Sequence, residues 1–108
     1  MRNALLAAIV AVTGFSSAAL AEGKVIGVSW AQFQEERWKI DEAAMKAAIE
    51  AAGNTYVSAD AQSSAEKQLS DIDALIAQGV DVLIINAWDK DAILPAIDKA
   101  AAEGIPVL

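Results

Sequence analysis

The sequence predicts an α/β domain, a parallel sheet with helices on its faces, and three observations carry that prediction. Short apolar runs of strand length, at residues 25–28 and 82–85, alternate with longer stretches of helical periodicity. Gly53, Gly79 and Gly104 close those helical stretches at near-equal spacing, one strand–helix unit each. The Val82-Leu83-Ile84-Ile85 run has no polar interruption, the pattern of a strand buried on both faces of a parallel sheet. Alternating β and α units of this length imply right-handed crossovers.

Residues 1–21 are read apart from the fold. Arg2 gives a positive start, residues 4–12 form an apolar run, and Ala19-Leu20-Ala21 has the small-x-small form of a signal-peptidase site. The run is too short to span a bilayer. Cleavage is expected after Ala21, leaving a chain that starts at Glu22 and is one unit more acidic for the loss of Arg2.

The first strand is expected at residues 25–29. Residues 35 or 36 to 52 read as the first helix, with an apolar stripe of Ile40, Ala43, Ala44, Ala47, Ala48 and Ala51, and with Glu35 and Glu36 at its positive end. Tyr56 and Val57 centre a second strand at 55–58. Ser63 and Glu66 have the spacing of a capping box, opening a second helix that runs to Gln78 and buries Leu69, Ile72, Leu75 and Ile76. A third strand is expected at 80–86. A third helix follows from near Asp91, with Pro95 in its first turn and Ile93, Leu94, Ile97, Ala100 and Ala101 on its apolar face. Residues 105–108 open a fourth strand. A chain stopping there reads as a fragment of a longer protein, with one sheet face left uncovered.

Composition narrows the function. The 108 residues contain no Cys and no His, which removes disulfides, thiol nucleophiles, imidazole bases and the commonest zinc ligands. With 8 basic and 15 acidic residues the formal net charge is −7, the wrong sign for nucleic-acid phosphates. An exported, acidic chain without cysteine fits the bacterial periplasm. No G-x-G-x-x-G, no G-x-x-x-x-G-K-[ST] and no G-x-S-x-G occurs. No catalytic residue, no metal site and no cofactor is expected.

Aromatic and hydrogen-bonding residues gather instead where strands end. Trp30, Gln32, Phe33, Arg37 and Trp38 follow the first strand, Asp60 and Gln62 the second, Asn86, Trp88 and Asp89 the third. Aromatic faces against C–H faces, and planar forks against hydroxyls, are the tools for holding an uncharged sugar. The candidate ligand contacts are Arg37, Trp38, Phe33, Trp88 and Asp89. Each also has a plain structural role open to it: Trp38 beneath the first helix, Arg37 paired with Glu36 or Asp41, Phe33 packed in its loop, Trp88 shielding a strand end, and Asp89 sharing a helix cap with Asp91. Trp30 reads mainly as core.

Several segments carry a family resemblance: Lys24-Val25-Ile26-Gly27-Val28 after the leader, Glu36-Arg37-Trp38 opening the first helix, Gln68 to Asp73, Gln78-Gly79-Val80-Asp81 into the third strand, and Ala102-Glu103-Gly104-Ile105-Pro106-Val107. Over Lys24 to Leu108 the chain resembles the amino-terminal lobe of type I periplasmic sugar-binding proteins of ABC importers, the ribose/xylose-binding group. The Glu-Arg-Trp at the first helix is most similar to the xylose-binding branch. The resemblance implies a Rossmann-like parallel sheet and a partial lobe of a two-lobe protein, residues 22–108 after the signal peptide. It further implies a protein, monomeric at full length, that captures a monosaccharide, D-xylose or another aldopentose, for a membrane ABC permease. A periplasmic sugar sensor feeding a chemoreceptor or histidine kinase is the alternative. It marks Arg37 and Trp38, then Trp88 and Asp89, as sugar contacts. The Asn86-Ala87-Trp88-Asp89 loop departs from the group's usual pattern. An Asp-Arg pair common in the group after the fourth strand would lie beyond Leu108.

Overall fold

The structure, a computed structural model, describes residues 23–108; the leader read at 1–21 lies outside the described residues. Three parallel strands, β1 (Val25–Trp30), β2 (Thr55–Asp60) and β3 (Val82–Ile85), form a sheet in the order β2-β1-β3. Ile26 pairs with Tyr56 on one side and Val82 on the other, and Ser29 with Ala59 and Ile85. Leu83 also bridges to Val107 in parallel, so residues 105–108 start a fourth strand beside β3, as expected. Helices α1 (Glu36–Ala51), α2 (Ala65–Ala77) and α3 (Leu94–Ala102) connect them.

The core lies between the sheet and the α2/α3 layer, where Ile72, Leu75, Ile76, Val80, Leu83, Ile93, Ala96 and Ala100 are buried together. Gly27, at the middle of β1, sits under this layer. A Cβ there would meet the Val80 Cγ1 at 2.7 Å, so α2 and the turn after it approach closely only because the strand has no side chain at that point. Gly53 and Gly79 end α1 and α2 at φ of 86° and 87°, left-handed values that only glycine adopts without strain.

Four expectations shift. The α2 cap is Ser64, whose Oγ accepts the Lys67 N–H at 3.0 Å; Ser63 instead takes a left-handed φ of 63° in the loop. The reciprocal Glu66 half of a capping box is therefore lost. The α1 face against the sheet is Trp38, Asp41, Glu42, Met45 and Ile49, all partly buried, while every residue of the alanine-rich stripe is exposed and Ile40 is 62% exposed. The large side chains remove more apolar area from water than methyls do, and they decide the rotation of the helix. The α3 helix starts at Leu94 and not near Asp91, its Leu94 and Ala101 are exposed, and Ala96 takes the place in the core expected of Leu94.

Finally, β3 is shorter than expected, and only Leu83 of its four residues is buried. Ile84 faces an open groove of about 410 Å³ that runs beside α1 and is lined also by Val28, Trp30, Trp38, Met45 and Asn86. One sheet face is thus thickly covered by two helices and the other by α1 alone. Among the described residues no helix is long and apolar enough to cross a membrane.

Candidate functional site

The strand order β2-β1-β3 places a topological switch point between β1 and β3. The chain leaves β1 toward α1 on one face and leaves β3 toward α3 on the other. Loops diverging from adjacent parallel strands open a crevice at their carboxyl ends, where ligands of open α/β sheets bind.

Trp30 closes β1 at this edge and is 3% exposed. Its indole N–H donates to the Tyr56 hydroxyl at 3.0 Å, and that hydroxyl donates to Glu42 Oε2 at 2.6 Å. The relay ties β1, β2 and α1 together. Burial, reinforced by the Glu42 carboxylate, raises the Tyr56 pKa above the ordinary tyrosine value. Trp30 therefore anchors the site, consistent with its reading as core.

Around Trp30 the β1–α1 junction assembles three of the expected residues. Phe33 packs on Trp30 with ring centroids 5.2 Å apart, and the Trp38 ring lies 6.5 Å from Trp30. The Arg37 guanidinium stacks 4.7 Å from the Trp38 ring centroid. It also pairs loosely with Asp41 at 3.6 Å, the Arg37 side chain remaining 71% exposed. That stack leaves most of the guanidinium's donors free. The Trp38 indole nitrogen is shielded from solvent and has no acceptor among the described residues.

The β3 exit loop holds the other two. Trp88 is 49% exposed, with its side chain outside the aromatic cluster, and its backbone N–H donates to Gln68 Oε1 at 2.9 Å. Neither Asp89 nor Asp91 caps α3, which starts at Leu94 without a side-chain cap; the Asp89 Oδ1 instead accepts the backbone N–H groups of Asp91 and Ala92 at 2.8 and 2.9 Å in the turn before the helix. Those bonds hold its carboxyl below the usual range, so it is ionised at neutral pH. The two loops are joined by Asn86, whose Oδ1 accepts from Ala31 N–H at 3.1 Å and whose N–H donates to the Ser29 carbonyl at 2.9 Å.

Gln68 escaped the sequence reading as an individual residue. It is 1% exposed and its amide is fully used. The signal was present: Gln68, Ile72, Leu75 and Ile76 share one helical face, and a lone amide on an apolar face needs buried partners. Among the described residues no cluster of acidic side chains is placed to hold a metal ion.

Residues 26–108 match the periplasmic binding protein domain. The chain belongs to this family. Among relatives of this periplasmic binding protein domain, the D-xylose-binding periplasmic protein of Haemophilus influenzae is 32% identical over the whole chain, which spans 32% of that protein. The ribose import binding protein of Bacillus subtilis is 46% identical over 56 residues, 52% of this chain and 18% of that protein. An ABC transporter solute-binding protein from Mycobacterium smegmatis, solved with bound glycerol, superposes with a TM-score of 0.77 at 35% identity, covering 79% of this chain and 30% of that one. The chain thus spans about a third of the length of the xylose-binding relative, and its sheet is a partial type I periplasmic binding protein lobe.

Proposed function

We propose that this chain is the amino-terminal part of a periplasmic solute-binding protein that captures a monosaccharide for a membrane ABC permease, without chemistry on the sugar. An aldopentose, D-xylose first, is the proposed ligand. The observation that carries this reading is the Arg37–Trp38 stack at the β1/β3 switch point, with an exposed guanidinium fork over the indole. An aromatic face suits the C–H face of a pyranose, and the fork suits adjacent hydroxyls. Phe33 packs on Trp30, while Trp88 and the ionised Asp89 stand on the neighbouring loop. The family, and the printed specificities of the ribose and D-xylose relatives, support the same class of ligand.

On this reading the protein is exported, cleaved after Ala21, monomeric at full length and independent of cofactors. Mass spectrometry of the exported protein tests the cleavage, with Glu22 expected as the first residue. Titration of the full-length protein with D-xylose, D-ribose, L-arabinose and D-glucose, read by tryptophan fluorescence and calorimetry, tests the ligand class. Saturable binding of a pentose is expected, and no response to any of the four sinks the sugar reading. Pentose-dependent stimulation of a permease's ATPase supports import; stimulation of a histidine kinase instead would favour the sensor alternative.

A further inference from the structure

The buried amide of Gln68 sits beneath the site and touches both loops that form it. Its Nε2 donates to Ser29 Oγ at 3.0 Å and to the Asn86 carbonyl at 2.9 Å, and its Oε1 accepts the Trp88 N–H at 2.9 Å. The amide orientation is dictated by its partners. A backbone N–H can only donate and a backbone carbonyl can only accept, so oxygen faces Trp88 and nitrogen faces Asn86. One side chain from the first turn of α2 thereby fixes the end of β1 and two of the three residues at 86–88. With Gln68 removed, the Trp88 N–H and the Asn86 carbonyl would each need new partners in a partly buried space.

Nothing in the packing of α2 requires this. Its other buried residues, Ile72, Leu75 and Ile76, are apolar. A buried polar group is costly unless it is satisfied, so its presence needs a reason besides stability. We infer that Gln68 is a positioning residue for the ligand site: it holds the β3 exit loop, and with it Asn86 and Trp88, in the geometry that meets the sugar. This inference rests on the sugar-binding reading, and its test separates the two.

The variant is Gln68→Met in the full-length protein, which keeps length and apolar bulk but cannot replace the amide bonds. Backbone amide exchange of the ligand-free protein is followed residue by residue, and D-xylose and D-ribose are titrated in parallel. Exchange at Trp88 is expected to quicken roughly tenfold or more, with amides of β1 and α2 little changed, and the pentose Kd to rise roughly tenfold. Gln68→Glu retains the acceptor for the Trp88 N–H and is expected to restore protection there to within about threefold of the parent. Uniformly faster exchange throughout the core in Gln68→Met would make Gln68 a stability element only and overturn the inference; so would unchanged exchange at Trp88 or an unchanged Kd.

Should Gln68→Met fail to fold, Gln68→Glu decides alone. A pentose Kd raised roughly threefold or more with core exchange unchanged supports the inference, because a carboxylate cannot donate to the Asn86 carbonyl, and an unchanged Kd or exchange quickened throughout the core overturns it. A parent protein that binds neither pentose defeats the sugar reading, while the exchange pattern still reads whether Gln68 holds the loop.

Discussion

At the scale of single residues, two buried polar groups, the Gln68 amide and the Trp30 indole N–H, organise the carboxyl edge. The Trp30–Tyr56–Glu42 relay makes a direct prediction. Tyr56→Phe removes the acceptor of a buried indole N–H and should cost about 1–3 kcal/mol in denaturant unfolding. The hydroxyl's raised pKa sets the pH window. The folded state retains the tyrosine proton after the unfolded chain has begun to lose it, so this contribution is complete below pH 10 and falls away as pH rises through the folded value. The 295 nm absorbance difference between parent and Tyr56→Phe should therefore titrate above 10.0. By contrast, Arg37→Ala breaks an exposed pair with Asp41 and an exposed stack on Trp38 and should change stability by no more than about 1 kcal/mol. Its pentose affinity should nevertheless fall roughly tenfold or more. A large stability loss with unchanged affinity would assign Arg37 to the surface pair with Asp41.

At the scale of elements, the strands and helices were legible because each obeys a local rule: period, capping residue, left-handed glycine. What misled was a helix whose apolar content is mostly alanine. In α1 the expected stripe contains five alanines and Ile40, and periodicity alone cannot distinguish it from the face that carries Trp38, Met45 and Ile49. The sheet decides, because the Glu42 carboxylate must reach Tyr56 and the bulky side chains must leave water. Ile49→Ala, on the partly buried face, should therefore cost about 1–2 kcal/mol, whereas Ala47→Ser on the exposed stripe should stay within about 0.5 kcal/mol. Equal costs would restore the alanine face to the sheet. The close approach at Gly27 was equally invisible in sequence, since it depends on Val80, distant along the chain. Gly27→Ala should destabilise by about 1–3 kcal/mol, because the Val80 side chain has to move from β1.

At the scale of the whole molecule, the sheet order explains why the candidate site was only half legible. Residues after the first strand announce themselves as a contiguous aromatic and basic run, and Phe33, Arg37 and Trp38 do meet around Trp30. Whether Trp88 and Asp89 join them depends on the β3 loop, which is set by a side chain of α2 that composition and spacing did not single out. The edge supplies one wall of a crevice: aromatic faces, one guanidinium and an ionised carboxylate all project from a lobe that spans about a third of the xylose-binding relative. A sugar with hydroxyls on both faces needs donors and acceptors on both sides, and on the proposed function closure of a second lobe would supply the others while excluding water. Residues 22–108 expressed alone should therefore bind D-xylose at least a hundredfold more weakly than the full-length protein, the equivalent of losing two buried hydrogen bonds at about 1.4 kcal/mol per tenfold. Calorimetry on both proteins reads this directly. Equal affinities would mean that this wall holds the sugar unaided, and that closure serves recognition by the permease rather than capture.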